Sequence, residues 1–199
     1  MFPMLDRLEV SYCPKLRLKP CPPKCHQFVI NKSDQVISSP KCHQFVINKS
    51  DQVISSLEEV QTTSHRCNST PTTTRLDISA SQHDSFRLFH HFPALQELEF
   101  SFCRNLTSLP EGIQQLSSLQ LLELKYCRSI AALPEWLSDI SSLKKLVIRE
   151  CDSIKSLAAR IQLLNNLEQL VIAGNQELQQ WCESEENKAK LAHINIISL

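Results

Sequence analysis

The chain has only two glycines in 199 residues, Gly112 and Gly174. No Gly-x-x-x-x-Gly-Lys-Ser/Thr loop can be written from them, so the backbone cradle that holds nucleotide phosphates is excluded from this chain. Net charge is absent too, because 21 basic side chains balance 21 acidic ones. That balance leaves no electrostatic footprint for nucleic acid. Nor is there an apolar run long enough to span a membrane, and the first residues lack the basic-then-apolar order of a secretion signal. Met1 begins almost inside a repeat, so the expectation is a carboxyl-terminal fragment or a truncated gene product, forming one elongated domain.

What the chain does have is apolar residues in a fixed rhythm. Leu95, Leu119, Leu143 and Leu167 open four copies of a pattern that returns every 24 residues. In the first three copies apolar residues follow at offsets 3, 5, 11, 14, 18 and 21, with cysteine at offset 8, as in Leu122, Leu124, Cys127, Ile130, Leu133, Leu137 and Ile140. A unit this short has one buried edge and cannot close a core alone, so the copies must stack. Leu-x-x-Leu-x-Leu ends in the alternation of a strand with one face buried, and strands at constant spacing would form a parallel sheet. Leu109–Leu116 and Leu133–Ile140 carry Leu-Pro-Glu and predict short helices, with proline in the first turn and glutamate complementing the dipole. The ends of these helices are expected at Ser117–Ser118, Ser141–Ser142 and Asn165–Asn166.

Nine cysteines suggest disulfides, but position argues otherwise. Cys13, Cys103, Cys127 and Cys151 share the offset where the strand turns away, and Asn175 fills it in the last full copy. They read as buried small side chains serving the turn backbone. An odd count without a secretion signal fits a reducing compartment. Without export, the four Asn-x-Ser/Thr sites at Asn31, Asn48, Asn68 and Asn105 carry no glycan.

Leu-x-x-Leu-x-Leu-x-x-Cys-x-x-Leu followed by Leu-Pro-Glu resembles the leucine-rich repeats at the carboxyl end of plant intracellular nucleotide-binding disease-resistance proteins. The opening, from Phe2-Pro3-Met4-Leu5 to Cys13-Pro14-Lys15-Leu16, resembles the same unit, as does Phe92-Pro93-Ala94-Leu95. Trp181-Cys182-Glu183 and Lys190-Leu191-Ala192-His193-Ile194 are similar to the tail of such proteins. The resemblance covers residues 1–20 and about 71–199. It implies an α/β leucine-rich-repeat solenoid, a horseshoe with its parallel sheet on the concave face and short helices or turns on the convex face. It further implies a cytoplasmic, non-catalytic sensor of plant innate immunity without a cofactor, whose partner is a pathogen effector or the receptor's own nucleotide-binding core.

Between residues 21 and 70 the repeat pattern fails, and Pro23–Ser39 recurs unchanged as Pro40–Ser56. The expectation here is an inserted, partly disordered loop carrying a recent genetic duplication, with Phe-Val-Ile pairing as an edge strand. Three parts follow: a repeat unit at 1–20, the loop at 21–70, and the main array with a carboxyl-terminal cap at 71–199. Leu76-Asp77-Ile78 reads as a degenerate repeat strand.

Cys21, Cys25, His26, Cys42 and His43 offer thiolate and imidazole for zinc. Their spacing is no paired Cys-x-x-Cys and the second Cys-His is a copy of the first, so they read as unengaged thiols in a reduced loop. His83-Asp84-Ser85 and His90-His91 are residue types used in hydrolysis, but neighbours in sequence do not supply convergent geometry or an oxyanion site. Neither a metal nor a catalytic set is expected.

The strand positions that face away from the core align into columns. One column reads Glu9, Asp77, Glu99, Glu123, Val147, Val171, running from acidic to apolar. The next reads Ser11, Ser79, Ser101, Lys125, Arg149, Ala173, and the third Tyr12, Ala80, Phe102, Tyr126, Glu150, Gly174. Exposed aromatics next to arginine are the composition of interface anchors, which makes Glu99, Phe102, Glu123, Lys125, Tyr126 and Arg149 the candidate partner site. The bland alternative is a solvated ion network of little energetic worth. Two other functions stand as alternatives for the chain, an F-box-type substrate adaptor, whose cysteine-bearing repeats are similar, and an extracellular receptor or inhibitor domain. An F-box substrate adaptor tends to have Thr-Asp-x-Gly where Leu109-Pro110-Glu111 stands here, and an extracellular receptor domain carries Gly-x-Ile-Pro, absent from this chain.

Overall fold

A computed structural model describes residues 5–11, 25–31, 42–49, 73–81 and 88–199. Among these residues the chain is an α/β fold built on one nine-stranded parallel sheet whose strand order is the chain order. The strands are β1 (Leu5–Ser11), β2 (Cys25–Asn31), β3 (Cys42–Asn48), β4 (Arg75–Ser79), β5 (Glu97–Ser101), β6 (Leu121–Lys125), β7 (Lys145–Arg149), β8 (Gln169–Ala173) and β9 (Asn195–Ser198). Each joins its sequence neighbours in register: Leu98 opposes Leu122, which opposes Leu146, which opposes Leu170. All four are buried, and Phe100, Leu124, Ile148 and Ile172 form a second buried row two residues on. The alternation read from the sequence therefore sets one face of every strand against the core.

The connections on the other side of the core are tighter than expected. Glu111–Gln115, Glu135–Asp139 and Ile161–Leu163 are 3-10 helices of three to five residues. Proline is not in their first turn. Pro110 (φ −63°, ψ 133°) and Pro134 (φ −71°, ψ 149°) are extended and stand one residue ahead of the helix. There each proline carbonyl accepts the first i to i+3 bond, from Ile113 N at 3.1 Å and from Leu137 N at 3.1 Å, while its missing N–H goes unneeded. The next bond, Leu116 N to Ile113 O at 3.0 Å, closes the helix as soon as Ile113 and Leu116 have reached the core.

Successive connections are tied by side chains. Ser129 and Ser153 hydroxyls donate to the carbonyls of Arg104 and Arg128, and Ser142 Oγ donates to Leu119 O at 2.7 Å. The Glu135 carboxylate accepts from the amides of Ala159 (2.9 Å) and Arg160 (3.1 Å), so the glutamate of Leu-Pro-Glu reaches the following connection as well as sitting at a helix start. The carboxyl end closes with α1 (Gln176–Glu183), α2 (Glu185–Lys190) and β9, where Leu178, Cys182, Leu191 and Ile194 complete the core.

Two differences from the sequence reading fall in residues 21–70. Both copies of the duplicated segment contribute a strand, and β2 and β3 lie inside the sheet between β1 and β4 rather than at an edge. Phe28, Ile30, Phe45 and Ile47 are buried, because Phe-x-Ile has the same alternation as Leu-x-Leu at the same register. The rings of Phe28 and Phe45 stack at 5.6 Å, and Phe45 meets Phe92 at 6.0 Å. The rest of the expected loop, including Cys21 and Asn68, lies outside the described residues, as do Tyr12, Cys13 and His83-Asp84-Ser85. Leu76-Asp77-Ile78 is confirmed as a strand, β4, with Leu76 and Ile78 buried.

Candidate functional site

The columns predicted for the outward face are present. Asp77, Glu99, Glu123, Val147 and Val171 are opposed pair by pair, and Val29, Val46 and Ile197 extend the row. Ser79, Ser101, Lys125, Arg149 and Ala173 form the second row. The third row, at the strand exits, has a property that periodicity did not reveal. Lys49, Ala80, Phe102, Tyr126, Glu150 and Gly174 all have positive φ, from 51° to 65°. Turned this way, the amide of Phe102 donates to Lys125 O at 2.9 Å, and that of Tyr126 to Arg149 O at 2.9 Å, carrying the ladder one residue past each strand. Only Gly174 has a residue type that favours this conformation without a Cβ penalty.

Four of the six predicted site residues form one ion network. Lys125 Nζ lies 3.2 Å from Glu99 Oε1 and 3.1 Å from Glu123 Oε1, and Arg149 Nε is 3.5 Å from that same Glu123 oxygen. Arg149 Nε is itself buried without a hydrogen-bond partner, so the Glu123 contact there is electrostatic. Burial pulls the Lys125 pKa down, but the hydrogen bonds to Glu123 and Glu99 outweigh it and leave the ammonium above its ordinary value. The other two, Phe102 and Tyr126, stand beside this network with their rings stacked at 4.6 Å and 6°. They are 49% and 40% exposed and lie against each other, so they present one apolar patch rather than two scattered side chains.

The network extends toward the amino end through residues the sequence reading passed over. Arg75 reaches Asp77 (3.0 Å), Glu97 (2.7 Å) and Glu99 (3.3 Å), and Gln44 Nε2 donates to Asp77 Oδ2. Burial lowers the Arg75 pKa, but Asp77 and Glu97 together outweigh it, for a net rise. Arg75 and Glu97 belong to a further outward row, Gln27, Gln44, Arg75, Glu97, Leu121, Lys145, Gln169, whose signal was the residue two places before each member of the acidic column. Toward the carboxyl end the expected apolar surface is not presented, since Val147 and Val171 are 3% and 5% exposed.

The cysteines at offset 8 serve the backbone as expected. Cys103, Cys127 and Cys151 are buried thiols, none of them in a disulfide. Cys127 Sγ donates to Lys125 O (3.4 Å) and Phe100 O (3.6 Å), and Cys151 Sγ to Arg149 O (3.3 Å) and Leu124 O (3.7 Å). Asn175 performs the same office with stronger groups, donating to Cys151 O and Ile154 O at 2.8 Å and accepting from Leu178 N at 3.0 Å. Burial pushes the Cys151 thiol up to about 12 and the Cys182 thiol up to about 11. Cys42 is not an unengaged loop thiol: it is buried in β3 with its sulfur 3.9 Å from Thr73 Oγ1. His43, the next residue, is exposed on the opposite face and stacks on His26 at 5.4 Å, so the alternation of the strand separates Cys42 from the imidazoles.

No family model matches this chain, and no curated protein matches it. No helix among the described residues is long and apolar enough to cross a membrane.

Proposed function

We propose that the chain is a leucine-rich-repeat solenoid, a horseshoe with its parallel sheet on the concave side, acting as the sensor or regulatory region of a plant intracellular disease-resistance receptor in the cytoplasm. It works by surface complementarity without chemistry, and its partner is a pathogen effector or the receptor's own nucleotide-binding core. Support for the solenoid comes from strand order that equals chain order and from side-chain bridges that repeat at 24 or 25 residues. The observation that carries the recognition reading is the exposed Phe102–Tyr126 pair set against an ion network that is already assembled. Aromatic anchors of this kind dominate binding energy, and charged side chains held in place lose less freedom when a partner arrives.

Two measurements test this reading. The transcript upstream of Met1 supports it by encoding a phosphate-cradle motif, and refutes it by encoding an F-box segment or a secretion signal. In the full-length product, Tyr126→Ala with Arg149→Ala should weaken capture of the nucleotide-binding core or of an effector while the circular dichroism spectrum stays the same. Unchanged capture removes Glu99, Phe102, Glu123, Lys125, Tyr126 and Arg149 as the contact set.

A further inference from the structure

We infer that the strand-exit edge of the sheet carries a docking groove for an extended acidic segment of a partner protein, built by Phe102, Tyr126, Arg104 and Arg128. The inference rests on the recognition reading above and gives its partner a chemistry. An open concavity of about 550 Å³ is lined by these four residues and Ser129. The stacked rings are too close to admit anything between them, so a ligand meets their edges and outer faces. Both rings are held at left-handed positions, φ 57° and 54°, where a bulky residue is an outlier and where Gly174 stands two coils beyond Tyr126. The turn is common to the whole strand-exit row, but only at these two positions does it hold out a large, exposed aromatic ring.

Charge then selects the occupant. Three cations of the sheet face are held in the ion network: Arg75 by Asp77, Glu97 and Glu99, Lys125 by Glu99 and Glu123, and Arg149 by Glu123. The two arginines at the edge stand outside that network. Among the described residues Arg104 has no carboxylate in ion-pair range, and Arg128 has only Asp152 at 3.6 Å, between side chains that are both more than half exposed. A pair that long and that wet is easily exchanged for a carboxylate held bidentately.

Spacing narrows the form of the ligand. Ring and guanidinium repeat on consecutive coils, whose strands lie about 4.8 Å apart. A peptide crossing the coils in extended form sends successive side chains to opposite sides and repeats on one side every ~7 Å. The two repeats differ by about 2 Å, a gap the long guanidinium arms can span, so acidic side chains at alternate positions can meet Arg104 and Arg128 while the apolar ones between them lie against Phe102 and Tyr126. Ser129 braces the floor through its bond to Arg104 O. A nucleic-acid strand fits less well, because the two arginines of the groove are too few to neutralise a run of phosphates.

The experiment is fluorescence anisotropy of the full chain with fluorescein-labelled Gly-Asp-Phe-Asp-Leu-Gly, its Asn-for-Asp counterpart, and a short oligouridylate. Expected is saturable binding of the acidic peptide that falls with salt. It should weaken on the order of tenfold in the Asn peptide, in Arg104→Gln with Arg128→Gln, and in Phe102→Ala with Tyr126→Ala, while Glu185→Gln in α2 leaves it unchanged. If the double arginine variant loses its native spectrum, Arg104→Gln alone carries the test, having no ion pair among the described residues to lose. Absent binding, equal binding of the Asn peptide, preference for oligouridylate, or self-association abolished by the arginine substitutions would each overturn the proposal. A phosphate cradle upstream together with no peptide binding sinks this groove and spares the receptor reading; peptide binding together with an upstream F-box does the reverse.

Discussion

The strands β5 to β8 and the strands β2 to β4 belong to one sheet but are connected in different ways. From β5 to β8 every partner lies 24 residues on, and the connections are bridged by cysteine, serine and asparagine side chains at each step. Between β2 and β3 the separation is 17 residues, and between β3 and β4 it is 31. There the cohesion visible among the described residues lies on the strands themselves, in the phenylalanine stack on the core side and the Gln27–Gln44–Asp77 chain of hydrogen bonds on the outward side. Register is therefore set by the strand's own alternation, and a constant period is needed only where connections must also match one another.

Core truncation tests that contrast most severely. Phe45→Ala should cost about 3–5 kcal/mol and Leu122→Ala about 2–5 kcal/mol, both in urea denaturation, since both side chains are fully buried. If the sheet unfolds as one unit the two variants move the same single transition, whereas separate transitions would show that the irregular strands melt alone.

Next in size is Asn175→Ala, which strips partners from two buried carbonyls and the Leu178 amide and should lose about 1–3 kcal/mol of unfolding free energy. Cys127→Ala should lose less, because a thiol is a weak donor. Equal losses would mean that the offset-8 position is filled for volume rather than for hydrogen bonding.

The strand-exit row gives a smaller effect of either sign. Gly174→Ala keeps φ at +65° and brings a Cβ within 2.3 Å of the Glu150 carboxylate, so it should destabilise by about 1–2 kcal/mol, read as a lower melting temperature. Tyr126→Gly relieves the same conformation but forfeits a stack worth about 0.5–1.5 kcal/mol, and should be near neutral.

The smallest effect is confined to alkaline solution. Below about pH 8.5 the thiols are neutral in both folded and unfolded chains, so their contribution is constant. Above it the unfolded thiols ionise, while Cys151 and Cys182 keep their protons until about 12 and about 11. The unfolded state then binds fewer protons, and stability falls as pH rises through that window. Urea midpoints between pH 8 and 10.5 should decline less steeply in Cys151→Ala than in the parent.

The sequence was most legible where burial alone dictates the residue. Leu98, Leu122, Leu146 and Leu170 could be aligned from their spacing because a fully enclosed position accepts so few side chains. Glu99, Glu123, Lys125 and Arg149 followed from the same alignment, since facing outward is simply the complement of facing inward. Much less could be read where the backbone made the choice. Among Lys49, Ala80, Phe102, Tyr126, Glu150 and Gly174 one glycine is the only compositional sign of a left-handed residue. Phe-Val-Ile was legible as a strand, but the place of β2 and β3 inside the sheet was hidden, because so short a pattern does not fix its neighbours and because identity between copies suggested history rather than architecture. The covering of Val147 and Val171 depends on how neighbouring strands crowd together, which no periodicity encodes.

That identity has one more outcome. The two copies present the same seven residues, in the same alignment, to whatever precedes and follows them. Unequal recombination within the gene could delete one copy, or add another, and every remaining hydrogen-bonded neighbour would still find the residue it had before. The molecule thus carries a seam along which it can shorten or lengthen by a whole storey in a single genetic event, leaving the phenylalanine and glutamine stacks closed on either side.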